Sequence, residues 1–210
     1  MVCYSLEKKI IYIHVPKTGG MSIEKILISN FGFKNFTFER GPYEFLNNQE
    51  GKEGFFKYIL KHSKESKDHD LMSFKKFTFV RNPYKRACSG IRYLSEQYSD
   101  RDSEFPTNLN DFYNLCLQNT FFYVHFNMTQ CTALRDLNNE IHMDFIGKFE
   151  NYNEDLEYMI FNLMEFPRID ISKFHIHKSD PKMTIFDEEI VNEIVNIIHD
   201  EDFNEFDYNK

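Results

Sequence analysis

The chain has 210 residues, of which 41% are hydrophobic and 17% aromatic, with 23 Phe, 12 Tyr and no Trp. That is enough apolar material for one sizeable core, short for two full domains, and unlike a disordered chain. A formal net charge of −8 and a pI near 5.5 exclude a global basic field, so no nucleic-acid partner is expected, although a small anion needs only a few local cations.

No apolar run approaches the ~20 residues of a membrane-spanning helix, and the opening MVCYSLEKKIIYIHV does not read as a secretory signal. Cytoplasmic residence is the expectation. The cysteines Cys3, Cys88, Cys116 and Cys131 form no CxxC pair and stand at no zinc spacing with histidine. Free thiols are expected, with a Cys116–Cys131 bridge left open, and no metal is called for.

In chain order, Lys9 to Val15 is a β-branched and aromatic run that reads as a buried strand ending at Pro16. Lys17-Thr18-Gly19-Gly20 makes a compact loop. From Ser22, Ile23, Ile26 and Leu27 fall at helical spacing, and Asn30 to Gly32 signals a stop. Residues 34–54 read as a surface excursion, Phe55 to Leu60 as a short helix or strand delivering His62, and Lys61 to Asp70 as a solvated charged run. Lys75 to Val80 is a second buried strand; Asn82 is placed to cap a helix with Pro83 at its first position. Residues 95–110 read as a polar loop, 109–120 and 128–137 as helices, Phe145 and Ile146 as a short strand, and Glu154 to Leu163 as a helix. Asp187 is placed to cap a final amphipathic helix. Strands alternating with helices predict one α/β domain over 1–210, with a central, largely parallel sheet flanked by helices and a P-loop-like strand–loop–helix for an anion.

Two constellations carry chemistry. In Pro16-Lys17-Thr18-Gly19-Gly20-Met21-Ser22 the glycines let backbone approach an anion, the helix start offers unpaired N–H groups, and Lys17 adds a full charge. The lysine precedes the glycines, so the loop is not a Walker A motif. In Phe79-Val80-Arg81-Asn82-Pro83-Tyr84-Lys85-Arg86, followed by Ser89, an arginine at a strand end can grip a phosphate through two parallel hydrogen bonds. Together they put two anion sites at the carboxyl edge of one sheet, which suits a nucleoside with phosphates at both ends.

On these residues the chain resembles the sulfotransferases that use 3′-phosphoadenosine-5′-phosphosulfate (PAPS), in particular the carbohydrate branch and its bacterial and viral relatives. Pro16 to Ser22 is similar to the family's 5′-phosphosulfate loop, and Phe79 to Ser89 to its 3′-phosphate motif, with Arg81 and Ser89 at the matching positions. Phe145 to Asn151 with Asp155-Leu156 resembles "FIGRFEN…DL"; His175 to Ser179 resembles "HxNKS", with His177 in place of the asparagine; Asp202 to Tyr208 resembles "DFxxFGY", with Asp207 in place of the glycine.

The resemblance implies transfer of a sulfuryl group from PAPS to an acceptor hydroxyl, with a carbohydrate favoured, and release of PAP by in-line displacement without an obligatory metal. Lys17 is the candidate cation at the leaving phosphate, and Thr18, Gly19, Gly20, Met21, Ser22, Arg81, Ser89, Lys178 and Ser179 are the candidate donor-binding residues. A histidine suits the base, because its pKa lies near working pH. His62 stands where relatives carry a histidine. His125 and Gln130 resemble an "HxxPQ" segment, with Thr129 in place of proline, and are candidate acceptor-lining residues. His14 is read as structural. The alternatives are a small nucleotide kinase, or a PAPS- or nucleotide-binding protein without catalysis.

Overall fold

The computed structural model describes residues 2–39, 46, 49–99, 105–171 and 185–210. Its centre is a five-stranded sheet in the order β3-β1-β2-β4-β5: β1 is Val2–Ser5, β2 Ile10–Ile13, β3 Lys34–Asn35, β4 Lys75–Val80 and β5 Phe145–Lys148. β2, β4 and β5 pair in parallel, while β1 runs antiparallel to β2 and β3. The sheet is thus mixed, with every strand but β1 pointing the same way.

Alternation along the strands builds a core on each face. Ile10 and Tyr12 of β2, with Phe77 and Phe79 of β4, pack against Ile23, Ile26 and Leu27 of α1 (Gly20–Phe31) and Leu156 of α8 (Tyr152–Glu157). Ile11, Ile13 and Val80 face the other way, onto Phe55, Phe56 and Ile59 of α2 (Phe55–His62) and Ala133 and Leu134 of α7 (Gln130–Leu134). A third cluster joins the long α4 (Pro83–Ser99) to α5 (Leu109–Gln118), α6 (Thr120–Phe126) and α9 (Glu188–Ile198) through Ile91, Leu94, Phe112, Phe126 and Val195. α3 (Glu65–Asp68) lies at the surface, and α10 (Asp200–Glu205) closes the described chain.

The caps follow the residue chemistry. Asn82 Oδ1 accepts from Lys85 N–H at 3.2 Å at the head of α4, and Asp187 Oδ1 accepts from Glu189 N–H at 2.9 Å at the head of α9. Gly32, at φ 69°, ends α1 in the left-handed conformation that glycine adopts without strain. Two expectations are corrected. α4 runs on to Ser99, where a polar loop was expected from 95, because Ser95 satisfies its hydroxyl on Arg92 O at 2.7 Å and Leu94 is buried. The helix expected over 128–137 is only Gln130–Leu134. Val2–Ser5 is a buried strand, hairpinned onto β2. All four cysteines carry free thiols; Cys116 and Cys131 sit in different apolar clusters, which rules out the bridge left open.

Candidate active site

The sheet register brings the two motifs together. Ile13 of β2 lies opposite Thr78 of β4, so the chain leaves both parallel strands at the same edge, into Lys17 on one side and Arg81 on the other. Thr78 Oγ1 donates to Ile13 O at 2.7 Å and Thr18 Oγ1 to Val15 O at 2.8 Å, tying the loop to its strand. Arg81 Nη1 then donates to Lys17 O at 3.2 Å.

The loop takes its shape from backbone strain and close approach. Lys17 has φ 71°, a left-handed conformation that costs a non-glycine residue about 1–2 kcal/mol. Gly20 has no room for a side chain, since a Cβ would lie 2.0 Å from His14 Cδ2. His14 is buried and pairs with Glu24 of α1 at 3.4 Å, so the histidine read as structural braces the loop from beneath. Ser22 N–H donates to Gly19 O at 3.2 Å, and Ser22 shares a side-chain hydrogen bond with Tyr152. The N–H groups of residues 18–21 donate to no backbone carbonyl among the described residues, leaving four amides at the head of α1 for an anion. Met21 is 59% exposed at that edge.

Lys17 Nζ lies 4.0 Å above the Tyr93 ring of α4. Burial, reinforced by the nearby cations of Arg92 and Arg81 and opposed by Glu96, pulls its pKa down to about 8. His125 stacks on the same Tyr93 at 4.9 Å between ring centroids and on Phe121 at 4.5 Å. Its Nδ1 lies 2.7 Å from Phe121 O, which fixes that nitrogen as the N–H donor and leaves Nε2 as the acceptor. Burial pulls the His125 pKa down to about 3.

Arg81 is the most constrained group of the site. Its guanidinium carbon lies 4.3 Å above the Phe149 ring, and its Nε is buried with no hydrogen-bond partner among the described residues. Burial also lowers its pKa, against the opposing pull of Glu150. Asn82 N–H donates to Glu150 Oε1 at 3.0 Å, and Tyr208 O–H donates to Glu150 Oε2 at 2.9 Å. The segments around Phe149 and Tyr208 therefore wall the Arg81 turn. Ser89, two turns into α4, is buried.

Beneath the site runs a second, wholly buried arginine. Arg86 Nε donates to Pro16 O at 3.2 Å and Arg86 Nη2 to Met128 O at 2.7 Å, which ties the loop to the end of α6. Arg86 closes the second motif in the sequence, but its role as a buried brace is visible only from its burial and its two carbonyl partners.

The other expected residues are placed as follows. His62 ends α2, with Nε2 2.6 Å from Glu50 Oε2 and its ring 4.5 Å from that of Tyr58; no contact recorded among the described residues joins it to Lys17 or Arg81. Gln130 is 0% exposed, and its side-chain amide binds the main chain of Arg81 instead of opening onto an acceptor. Lys178 and Ser179 lie outside the described residues. Cys131, Glu201 and Asp202 form a close group of metal-type side chains, but Asp202 accepts two backbone amides and Glu201 pairs with Arg135 at 2.8 Å. Among the described residues, no helix is long and apolar enough to cross a membrane.

An arginine and a lysine at adjacent parallel strand ends, with open helix-head amides between them, are equipped to hold a doubly phosphorylated nucleotide and to neutralise charge on one of its phosphates. Comparison with curated proteins and with solved structures gives no match. The model of the Sulfotransferase family, by contrast, matches residues 2–209, and the chain belongs to that family.

Proposed function

We propose that residues 1–210 act as one catalytic domain that transfers a sulfuryl group from PAPS to an acceptor hydroxyl, with carbohydrate the favoured class, and releases PAP. The observation that carries this reading is the joining of the two strand-end cations: Arg81 Nη1 donates to the Lys17 carbonyl at 3.2 Å, beside the open amides of residues 18–21. The donor brings an activated sulfuryl group on a phosphosulfate anhydride. The chain's own residues bind, orient and manage charge.

The residues present fit such a donor. Burial disfavours the charged forms of both Lys17 and Arg81, so each cation lacks full compensation, and Arg81 Nε is an orphaned donor. An anionic ligand supplies what both are missing. In this reading Arg81 and Ser89 hold the 3′-phosphate, the amides of the loop hold the 5′-phosphate, and Lys17 places its ammonium at the leaving oxygen. Lys178 and Ser179 remain proposed donor contacts.

His62 takes the acceptor proton. Its Nε2 pairs with the Glu50 carboxylate, which orients the ring and leaves Nδ1 as the second nitrogen. His125, its pKa held down to about 3, stays neutral at working pH and offers Nε2 to the acceptor hydroxyl as a hydrogen-bond acceptor. No step is assigned to a metal.

Thermal unfolding with PAP tests the reading. At about 100 times its dissociation constant PAP contributes roughly 2.7 kcal/mol, a rise on the order of 5–10 °C for a chain of this size. The rise is expected to shrink in Lys17→Ala and Arg81→Ala, and His62→Ala is expected to lower kcat in a PAPS turnover assay. A rise with ATP but none with PAP would sink the reading in favour of a nucleotide kinase; PAP binding without turnover over a broad acceptor panel would reduce the chain to a binder.

A further inference from the structure

The direction in which Arg81 points is set by its main chain, and that main chain is held by one side chain. β4 ends at Val80, one residue short of Arg81, and the ladder pairing does not reach it. Gln130 supplies the missing pairing. Its Oε1 accepts Arg81 N–H at 2.8 Å and its Nε2 donates to Arg81 O at 2.9 Å. A strand partner makes this two-point exchange with a residue in an antiparallel ladder. With both polar groups fixed, the backbone angles of Arg81 are fixed, and so is the Cα–Cβ bond that aims the guanidinium.

The clamp is itself anchored. Gln130 N–H donates to Asp202 Oδ2 at 2.9 Å and Cys131 N–H to Asp202 Oδ1 at 2.9 Å. Asp202 is 0% exposed and carries His199 Nδ1 at 3.3 Å; His199 Nε2 in turn lies 2.9 Å from Phe126 O. A continuous buried line therefore runs from α10 through the head of α7 to Arg81. At its far end the guanidinium carbon lies 4.3 Å from the centre of the Phe149 ring, with Nε unpartnered among the described residues. A flat, desolvated fork depends strongly on direction, since a phosphate must lie in its plane to take two bonds.

We infer that Gln130 is a positioning residue, whose clamp on the Arg81 main chain aims the guanidinium and thereby sets the preference for a nucleotide with a 3′-phosphate over one without. The inference rests on the reading of Arg81 as the 3′-phosphate contact. An apolar residue of equal volume fills the same space but answers neither group, whereas the glutamine amide accepts from the N–H and donates to the C=O at once.

The test compares dissociation constants for PAP and for AMP, which lacks the 3′-phosphate, by titration calorimetry on the full chain. Wild type is expected to bind PAP at least about tenfold more tightly than AMP, and Arg81→Ala to lose that preference. Gln130→Met, which keeps the volume and removes the clamp, is expected to lower the PAP/AMP ratio about tenfold while AMP affinity stays within about twofold. Gln130→Glu still accepts from Arg81 N–H and is expected to keep an intermediate ratio; it stands in where Gln130→Met melts below the assay temperature. A ratio unchanged in both Gln130 variants, or PAP and AMP weakened equally, overturns the inference while leaving the donor site intact. A wild type without preference, or a preference that survives Arg81→Ala, overturns the 3′-phosphate reading itself and the inference with it.

Discussion

The two strand ends at the sheet edge are built on opposite plans. The Arg81 turn is held through its main chain: its N–H and C=O by Gln130 and the next N–H by Glu150, with Nη1 bonded to Lys17 O. The Lys17 loop is held by close packing and a left-handed backbone, its amides are open, and its ammonium rests on an aromatic face. Recognition of a fixed charge rewards rigidity. Neutralising charge that grows during reaction rewards a desolvated cation that can still move by a fraction of an ångström.

The sharpest way to test that division is at Lys17. Lys17→Ala is expected to lower kcat by about 10²–10³-fold with PAP affinity reduced far less, the range found when a single charge-stabilising donor is removed. The pH profile gives the sign. A lysine pulled from 10.5 to about 8 is charged below that pH and neutral above it, so kcat/KM for the donor should fall as pH rises through about 8. Lys17→Arg stays charged and should lack that alkaline limb. Equal loss of PAP binding and kcat in Lys17→Ala would erase the contrast between the two strand ends.

Gly20→Ala tests whether packing shapes the loop. With a Cβ 2.0 Å from His14 Cδ2, the ring or the helix head must shift, at about 1–3 kcal/mol, and the melting temperature should fall by several degrees. An unchanged melt would mean that the approach is slack. The smallest effect is expected from Tyr93→Leu, which removes the ring under Lys17 Nζ, an attraction of roughly 0.5–2 kcal/mol. Turnover should change by a few-fold, and the alkaline limb should move as the surroundings of the ammonium change.

Much of this architecture was legible in the residue pattern. β2, β4, α1, the Asn82 cap and the adjacency of Lys17 and Arg81 follow from local runs and from the rule that ligands of such sheets meet the carboxyl edge. Val2–Ser5 escaped because four residues show no period, and α10 because Asp200–Glu205 is too short and too acidic to register as an amphipathic helix. The roles of the polar residues were hidden for another reason. Gln130 meets Arg81 across 49 positions and Tyr208 meets Glu150 across 58, and no spacing rule reaches so far. A glutamine beside a histidine reads as a ligand contact when its true partner, a backbone turn, is invisible in one dimension.

The brace between α10 and the Arg81 turn has a consequence for how the protein is made. Arg81 leaves the ribosome well over a hundred residues before Tyr208, and at usual elongation rates that interval is roughly 6–25 seconds. Throughout it the nascent chain holds a sheet edge whose arginine has neither Asp202 behind its clamp nor Tyr208 beside its neighbour. On the proposed reading of Arg81 as a phosphate contact, the nucleotide site is therefore completed only once α10 has emerged, and a chain halted short of Asp202 lacks the anchor behind the clamp on Arg81.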